Sequence, residues 1–266
     1  MMIRAHVSTL CLIGIVTLML GAVSAAAPFV VANSLATPPA GSRDCPLPPP
    51  ATPAPAATTA RPTATTEGMG GEMALFEAAA RGDTATIERL LATGTPVDGQ
   101  DATGATALIA AGWANQVEAA CRLIQAGADV NHKDETEQSA YLIATSEGYL
   151  ELLNLTLTAG ADLRSLDSFQ GTGLIRAAER GHVEIVEQLL TTGIAVDHVN
   201  RLGLTALLEA IMFGDGGPRH TAVVQRLVEA GADVNLADGS GVTPLAHARQ
   251  RGYQAMIALL EDAGGR

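Results

Sequence analysis

A helix-ending glycine returns along the chain at nearly constant spacing, and this period constrains the fold more than any other feature. The first intervals are 33 residues and the last is 38, which gives Gly94, Gly127, Gly160, Gly193 and Gly231. An Asp or Asn recurs with the same spacing, at Asp101, Asp134, Asp167, Asn200 and Asp238. Such a period indicates a stack of small units, because one unit of this size cannot bury its own apolar face.

One copy, from Thr172 to Gly193, shows what each unit contains. Ala177 and Ala178 are small enough for a second helix to pack closely on the first. Gly181 can take the left-handed conformation that ends a helix. Beyond it, apolar residues recur at helical spacing: Ile185, Val186, Leu189 and Leu190. We therefore predict two short helices joined by a tight turn.

The residues that open each first helix also keep register: Thr106-Ala-Leu, Ser139-Ala-Tyr, Thr172-Gly-Leu, Thr205-Ala-Leu and Thr243-Pro-Leu. Gly-Ala-Asp-Val-Asn occurs twice, beginning at Gly127 and Gly231. Together these marks resemble the ankyrin repeat family, whose signature is T-P-L-H-x-A. The resemblance implies an all-α solenoid of about six helix–turn–helix repeats, connected by hairpin fingers.

The predicted repeat domain covers residues 72–266, divided as 72–100, 101–133, 134–166, 167–199, 200–237 and 238–266. We expect the first and last repeats to act as caps. Three residues depart from the pattern. Asn115 replaces a helix-ending glycine, and Glu137 and Gln170 replace the glycine that other fingers carry. We expect these departures to loosen two fingers without changing the fold.

Two segments precede the predicted repeats. Residues 1–27 have a positive residue, Arg4, an apolar run and small residues suited to cleavage, which indicates an export signal peptide; an uncleaved anchor is the alternative. Residues 28–71 hold 10 of the 13 prolines and are predicted to be a disordered linker, dispensable for folding. The repeat domain is thus expected outside the cytoplasm, in the periplasm, the cell envelope or secreted.

Two cysteines remain if the signal peptide is removed. Cys45 lies in the linker, and Cys121 takes the outward place in its helix that Glu187 takes two repeats later. In an oxidising compartment the two thiols could pair. Two free thiols or intermolecular pairing are open alternatives.

Composition and motifs exclude several classes of function. The chain has 28 acidic against 16 basic residues, which disfavours nucleic acid and anionic membrane as partners. Metal-ligand pairs and nucleophile motifs are missing from the sequence, so we predict no catalytic residues, no metal and no cofactor. The resemblance implies that His182 and His220 bond a neighbouring turn.

The five extra residues of the long interval lie in Gly214–His220, between the two helices of repeat five. A glycine-rich turn followed by Arg219 and His220 could bind an anion through backbone N–H groups. Asp215 opposes that interpretation, and a plain longer turn is the simpler one. A small-ligand site here, with Glu209, is nevertheless the alternative to protein binding.

Ankyrin domains bind partners with finger tips and with the exposed face of each first helix, so the resemblance also implies where a partner would bind. The finger tips are Ala102 and Thr103, Glu135 and Thr136, Ser168 and Phe169, Arg201 and Leu202, and Gly239 and Ser240. The first-helix face is predicted to carry Trp113, Ile143, Arg176, Glu179, Glu209, Met212 and Phe213. Aromatic, Met and Arg side chains in such a groove are typical of binding hot spots.

The predicted partner-binding residues are therefore Trp113, Phe169, Arg176, Arg201, Leu202, Glu209, Met212 and Phe213. The sequence favours a monomeric, non-enzymatic, exported module that binds a protein partner on its concave surface. The resemblance suggests envelope or stress-response enzymes as the partner class. A structural spacer is a further alternative.

Overall fold

The computed structural model describes Cys45 and residues 66–266, with side chains from residue 70 onwards. This part contains twelve α-helices: α1 (Thr66–Arg81), α2 (Thr84–Ala92), α3 (Ala107–Trp113), α4 (Val117–Gln125), α5 (Ala140–Glu147), α6 (Leu150–Thr158), α7 (Gly173–Glu179), α8 (Val183–Leu190), α9 (Ala206–Met212), α10 (Pro218–Glu229), α11 (Pro244–Arg251) and α12 (Gln254–Asp262). Odd-numbered helices are the first helices of six repeats, and even-numbered helices are the second. Each helix packs on its partner and on the equivalent helix of the next repeat. The predicted six-repeat helical stack is confirmed.

The register of the first helices comes from their N-caps. The cap residues are Thr106, Ser139, Thr172, Thr205 and Thr243. In each, the hydroxyl accepts the N–H of the third residue onward, at 3.3–3.5 Å. This bond satisfies one of the donors that a helix start leaves free. The recurring Thr or Ser therefore fixes where each first helix begins.

Each finger is closed around its opening Asp or Asn. The N–H of Asp167 donates to Gly171 O at 2.9 Å, and its Oδ1 accepts the N–H groups of Phe169 and Gly171. Asn200 makes the same three contacts in the next finger. A short side chain with an acceptor oxygen is required for this turn, because the oxygen must reach backbone two and four residues ahead.

Gly181 has a φ of 69°, so the predicted left-handed turn is confirmed. Three residues without that freedom adopt the same conformation, Asn115, Glu137 and Gln170, with φ of 51°, 64° and 59°. They are the three departures from the glycine pattern. Both finger bonds persist, since Gln170 N donates to Asp167 O and Glu137 N to Asp134 O. The departures store backbone strain and leave the finger geometry unchanged.

We expect Gln170→Gly to raise the free energy of unfolding by up to ~1 kcal/mol. Relief of the left-handed strain exceeds the extra chain entropy that glycine gains when unfolded. Urea unfolding of the two proteins measures the difference. Gly241→Gln, the reverse change in finger six, is the matched control and should destabilise, because its φ is 81° and a Cβ there meets no atom within 4 Å. A Gln170→Gly protein no more stable than the parent would contradict the strain.

Most of the core is one continuous cluster of Leu, Ile, Val and Ala side chains between the two helix layers. Tyr141 is its largest buried residue, at a place where neighbouring repeats use Leu. Its hydroxyl is buried without a hydrogen-bond partner. A Cβ at residue 173 would lie 2.7 Å from that hydroxyl oxygen. Gly173 therefore replaces the usual Ala to make room for Tyr141.

Part of the predicted linker belongs to the described structure. Helix α1 begins at Thr66, before the predicted boundary at Glu72. Cys45 is disulfide-bonded to Cys121 on α4, with Cα atoms 6.1 Å apart. Cys121 is consequently only 3% exposed, although its place in the helix is the outward one. The remaining linker residues and the predicted signal peptide lie outside the described residues.

Candidate functional site

The predicted groove begins with the first-helix position nine residues after each finger-opening residue. We call these positions the inner row: Ala110, Ile143, Arg176, Glu209 and His247. Most of the row is buried, and in repeats four to six the finger-opening residue bonds this position. Ile143 and Glu209 are 0% and 4% exposed. The prediction that these two side chains are exposed is wrong, because Asn200 bonds Glu209 and Ile143 packs in an apolar cluster with Ala105 and Ile109.

In repeats four to six the inner row is polar, and each member bonds the finger residue of its own repeat. Arg176 Nε lies 3.2 Å from Asp167 Oδ2, and its Nη1 lies 3.0 Å from Glu179 Oε2. Asn200 Nδ2 donates to Glu209 Oε1 at 2.7 Å. His247 Nε2 lies 2.8 Å from Asp238 Oδ2. Each pair holds a finger against its first helix. The sequence prediction missed the Asp238–His247 pair, although the nine-residue spacing from the finger residue marks it.

Glu209 is the most perturbed carboxyl of the groove. Burial raises its pKa to about 7, and the negative charges of Glu179 and Asp167 add to the shift. The Asn200 hydrogen bond and the positive charge of Arg176 act in the opposite direction without cancelling it. The carboxyl thus exchanges its proton near neutral pH.

In repeats two and three the inner row is apolar. Ile143 packs with Ala105 and Ile109, and partly buried Phe76 of α1 covers the group. This cluster is separate from the main core. The groove therefore has an apolar half at the N-terminal end and an ionisable half at the C-terminal end.

Large apolar side chains that remain exposed are concentrated on fingers and first helices. Of seven in the described chain, four were predicted from the sequence: Trp113, Phe169, Leu202 and Phe213, exposed by 48%, 48%, 54% and 56%. The other three are Met73, Leu150 and Val199. Only Leu150 lies on a second helix, at its first position. Exposure of this kind marks interaction surfaces when the residues are grouped.

Fingers four and five bring two of these residues onto neighbouring tips. The N–H of Arg201 donates to Phe169 O at 2.8 Å, which joins the two fingers. Leu202 follows directly, and the Arg201 side chain is exposed. Met212 is partly buried at the end of α9, and Phe213 caps that helix. Trp113 ends α3 two repeats away and lies outside this group.

The four described histidines outside the inner row each bond a backbone carbonyl, and for two of them this carbonyl belongs to the preceding repeat. His182 Nε2 lies 3.0 Å from Ser146 O, and His220 Nε2 lies 3.1 Å from Glu179 O. His132 and His198 instead bond Gly104 O and Gln170 O, in the fingers of their own repeats. The implied role of His182 and His220 agrees with these contacts. No three His, Cys, Asp or Glu side chains of the described chain are grouped to hold a metal ion.

In the Gly214–His220 turn, the donors that an anion could bind already contact the carboxylate of Asp215. Asp215 Oδ1 accepts the Gly217 N–H at 2.8 Å and lies 3.0 Å from His220 Nδ1. The Gly217 and His220 contacts hold the pKa of Asp215 below its usual range, so this carboxylate already occupies the place of an anion. Tyr253 donates its hydroxyl to Gly214 O, which ties the turn to the last repeat. Glu209 bonds Asn200 and not this turn.

None of the helices in residues 66–266 combines the length and the hydropathy needed to cross a membrane.

Comparison with known proteins agrees with this architecture. A family profile described as ankyrin repeats in three copies matches residues 58–134 and 141–238. The Escherichia coli (strain K12) protein YahD, named as an ankyrin repeat protein, is 48% identical over 71 residues, which cover 27% of this chain and 35% of YahD. The chain thus spans about a third of that relative's length.

Two solved structures resemble the described fold. An ankyrin repeat domain from Acinetobacter baumannii AYE is 51% identical with a TM-score of 0.70, over 72% of this chain and 98% of that one. The ankyrin repeat protein EF0377 is 37% identical with a TM-score of 0.68, over 71% of this chain and 97% of that one. The repeat register, the finger geometry and these matches together place the chain in the ankyrin repeat family.

Proposed function

We propose that this protein is a non-enzymatic, exported module that binds a protein partner with its fingers and the groove beside them. Ankyrin repeat domains generally act as protein–protein interaction modules. The observation that carries the proposal is the placement of exposed large apolar side chains. Phe169, Leu202 and Phe213 occupy fingers four and five and the end of α9, whereas second helices carry one such residue at most.

The chemistry of the groove supports a partner that offers both apolar and polar groups. Phe169 and Leu202 provide apolar area at the tips, and Arg201 provides an exposed positive charge beside them. Arg176 and Glu179 are each about a quarter exposed and present both charge signs deeper in the groove. Apolar anchors surrounded by polar groups are typical of protein interfaces.

Export is part of the proposal. It is supported by the leader-like residues 1–27 and by the Cys45–Cys121 disulfide, since disulfides persist in oxidising compartments. An envelope or stress-response enzyme remains our candidate partner class. The small-ligand alternative at Gly214–His220 is less favoured, because Asp215 occupies the donors that an anion would need.

We expect the double substitution Phe169→Ala and Leu202→Ala to weaken partner binding by roughly 2 kcal/mol or more, because it removes two tip anchors. The measurement is cross-linking of the tagged full chain in an envelope fraction, followed by quantitative mass spectrometry of the captured proteins. Circular dichroism should show unchanged helicity, since both side chains are about half exposed.

The matched control is Leu150→Ala, which truncates the exposed apolar residue of a second helix. It should capture the same protein at parental yield. If Leu150→Ala or changes at Glu184 and Glu187 abolish capture while the double variant retains it, the partner binds the opposite face.

A further inference from the structure

A ladder of side-chain contacts connects consecutive repeats and is interrupted once. In four places the side-chain oxygen of an Asp or Asn accepts a backbone N–H from the following repeat. The pairs are Asp98 with Asp129, Asn131 with Asp162, Asp197 with Asp233, and Asn235 with Arg266, at 2.7–3.0 Å. The equivalent pair between repeats three and four is Arg164 and Ala195. We call each of these hydrogen bonds between repeats a rung. An arginine side chain has no acceptor, so the rung between repeats three and four is missing.

The loop that follows α8 loses a second bond at the same junction. In repeats one, two, three and five, the residue after the helix-ending glycine donates its N–H to a helix carbonyl: Thr95 to Leu90, Ala128 to Leu123, Ala161 to Thr156 and Ala232 to Leu227. Ile194 holds this position in repeat four and makes no such bond. Leu189 O instead accepts from Thr192, through both N–H and hydroxyl.

Two consecutive N–H groups, those of Ile194 and Ala195, thus have no acceptor within the described chain. Ile194 is only 6% exposed, and backbone donors at such buried residues are nearly always paired.

A cleft of about 700 Å³ opens where the rung is missing. Its apolar wall includes Leu163, Leu166 and Ile194, and its edge carries Arg164, Asp162 and the exposed backbone of Ala195. The Arg164 side chain is 92% exposed and contacts Asp162 through Nε at 3.3 Å. Its terminal nitrogens contact none of the described residues and are open to solvent.

We propose that this cleft binds an aspartate side chain of an extended partner segment, whose carboxylate accepts from Ile194 and Ala195 while Arg164 neutralises its charge. The other four rungs supply the template, because an Asp or Asn oxygen fills that place in each of them. A carboxylate offers two acceptor oxygens, which suits two adjacent donors and a guanidinium. The apolar wall would receive a neighbouring aliphatic side chain.

The acidic charge of the whole chain limits which segments fit. With 28 acidic against 16 basic residues, the protein repels strongly acidic partners at long range. The cleft is therefore suited to a single carboxylate within an otherwise neutral segment. The cleft and the groove have different residues. Binding of a carboxylate in the cleft therefore does not depend on the proposed function of the groove.

The test is a ¹H–¹⁵N NMR titration of the full chain, with its disulfide formed, using N-acetyl-aspartate N-methylamide as the probe. We expect saturable shifts of the Ile194 and Ala195 amide signals. N-acetyl-lysine N-methylamide should cause none. N-acetylalanine, which carries its carboxylate at the chain end, distinguishes a terminal carboxylate from a side chain.

Two variants make the test specific. Arg164→Asn restores the rung and removes the positive charge. It should lower the affinity for the aspartate probe at least about tenfold and raise the melting temperature. Ala195→Pro removes one of the two N–H donors and should also lower the affinity for the probe. Pro96 holds this position in repeat one, so the backbone accommodates proline there. Arg81→Asn, a charge removal in repeat one, should leave the affinity unchanged.

Three results would overturn the proposal. The first is the lack of any saturable shift in the parent chain, which does not depend on the folding of a variant. The second is parental affinity in both Arg164→Asn and Ala195→Pro. The third is binding of N-acetylalanine or of the lysine derivative in preference to the blocked aspartate.

Discussion

Loss of the Cys45–Cys121 disulfide is expected to lower the free energy of unfolding by about 4 kcal/mol. The bond closes a loop between residues 76 apart in the sequence, and a crosslink of that length removes much of the unfolded chain's entropy. The folded state loses little packing in exchange, because Cys45 itself is only partly buried. This would be a large fraction of the stability of a typical domain.

Urea unfolding of Cys45→Ala against the parent, with and without reductant, measures the effect. The parent under reductant should unfold at the same urea concentration as Cys45→Ala, whose own midpoint should not respond to reductant. Cys45 is the better residue to replace, since Cys121 lies in the core cluster and its truncation would add a cavity. Coincident midpoints for parent and variant without reductant would show that the crosslink does not form in solution.

The second large effect is expected from pH, through Glu209. Its pKa is raised from 4.5 to about 7 in the folded protein, so between these values the folded state keeps a proton that the unfolded state releases. The contribution of the Glu209 carboxyl to the free energy of unfolding is therefore fully present below pH 4.5 and is lost as the pH rises through 7. At ~1.4 kcal/mol per pH unit, the loss amounts to about 3 kcal/mol.

The measurement is the free energy of unfolding of Glu209→Gln minus that of the parent, at several pH values from 4 to about 8.5. Gln keeps an oxygen for the Asn200 amide and cannot ionise, so the variant should gain about 3 kcal/mol relative to the parent across this window. Glu184→Gln removes a carboxylate from an exposed position of α8 and serves as the control. A constant difference for Glu209→Gln would mean that this carboxyl titrates as if it were in water.

The repeat architecture could be predicted because its causes are local in sequence. Thr106 and its equivalents cap helices by bonding three residues ahead, and Gly181 turns the chain by its own φ. Such interactions leave a mark at a fixed spacing, so 33-residue counting recovers them. The placement of Phe169 and Leu202 at exposed finger tips followed from the same register.

What could not be predicted depends on how one repeat lies against another segment. Glu209 has the helix position of a groove residue, yet the Asn200 side chain covers it. Cys121 has an outward helix position, yet Cys45 from outside the repeats covers it. Tyr141 and Gly173 compensate each other in size across a repeat boundary. Helical register gives the direction of a side chain, but the neighbour that covers it is set by tertiary packing.

The missing rung between Arg164 and Ala195 also bears on how the stack opens. In a repeat protein each unit is stabilised chiefly by its immediate neighbours, so cooperativity is transmitted only as well as the weakest interface allows. Of the neighbouring second helices, α6 and α8 touch least. Transient opening should therefore halt at this boundary, with repeats one to three and repeats four to six exchanging amide hydrogens as two separate units.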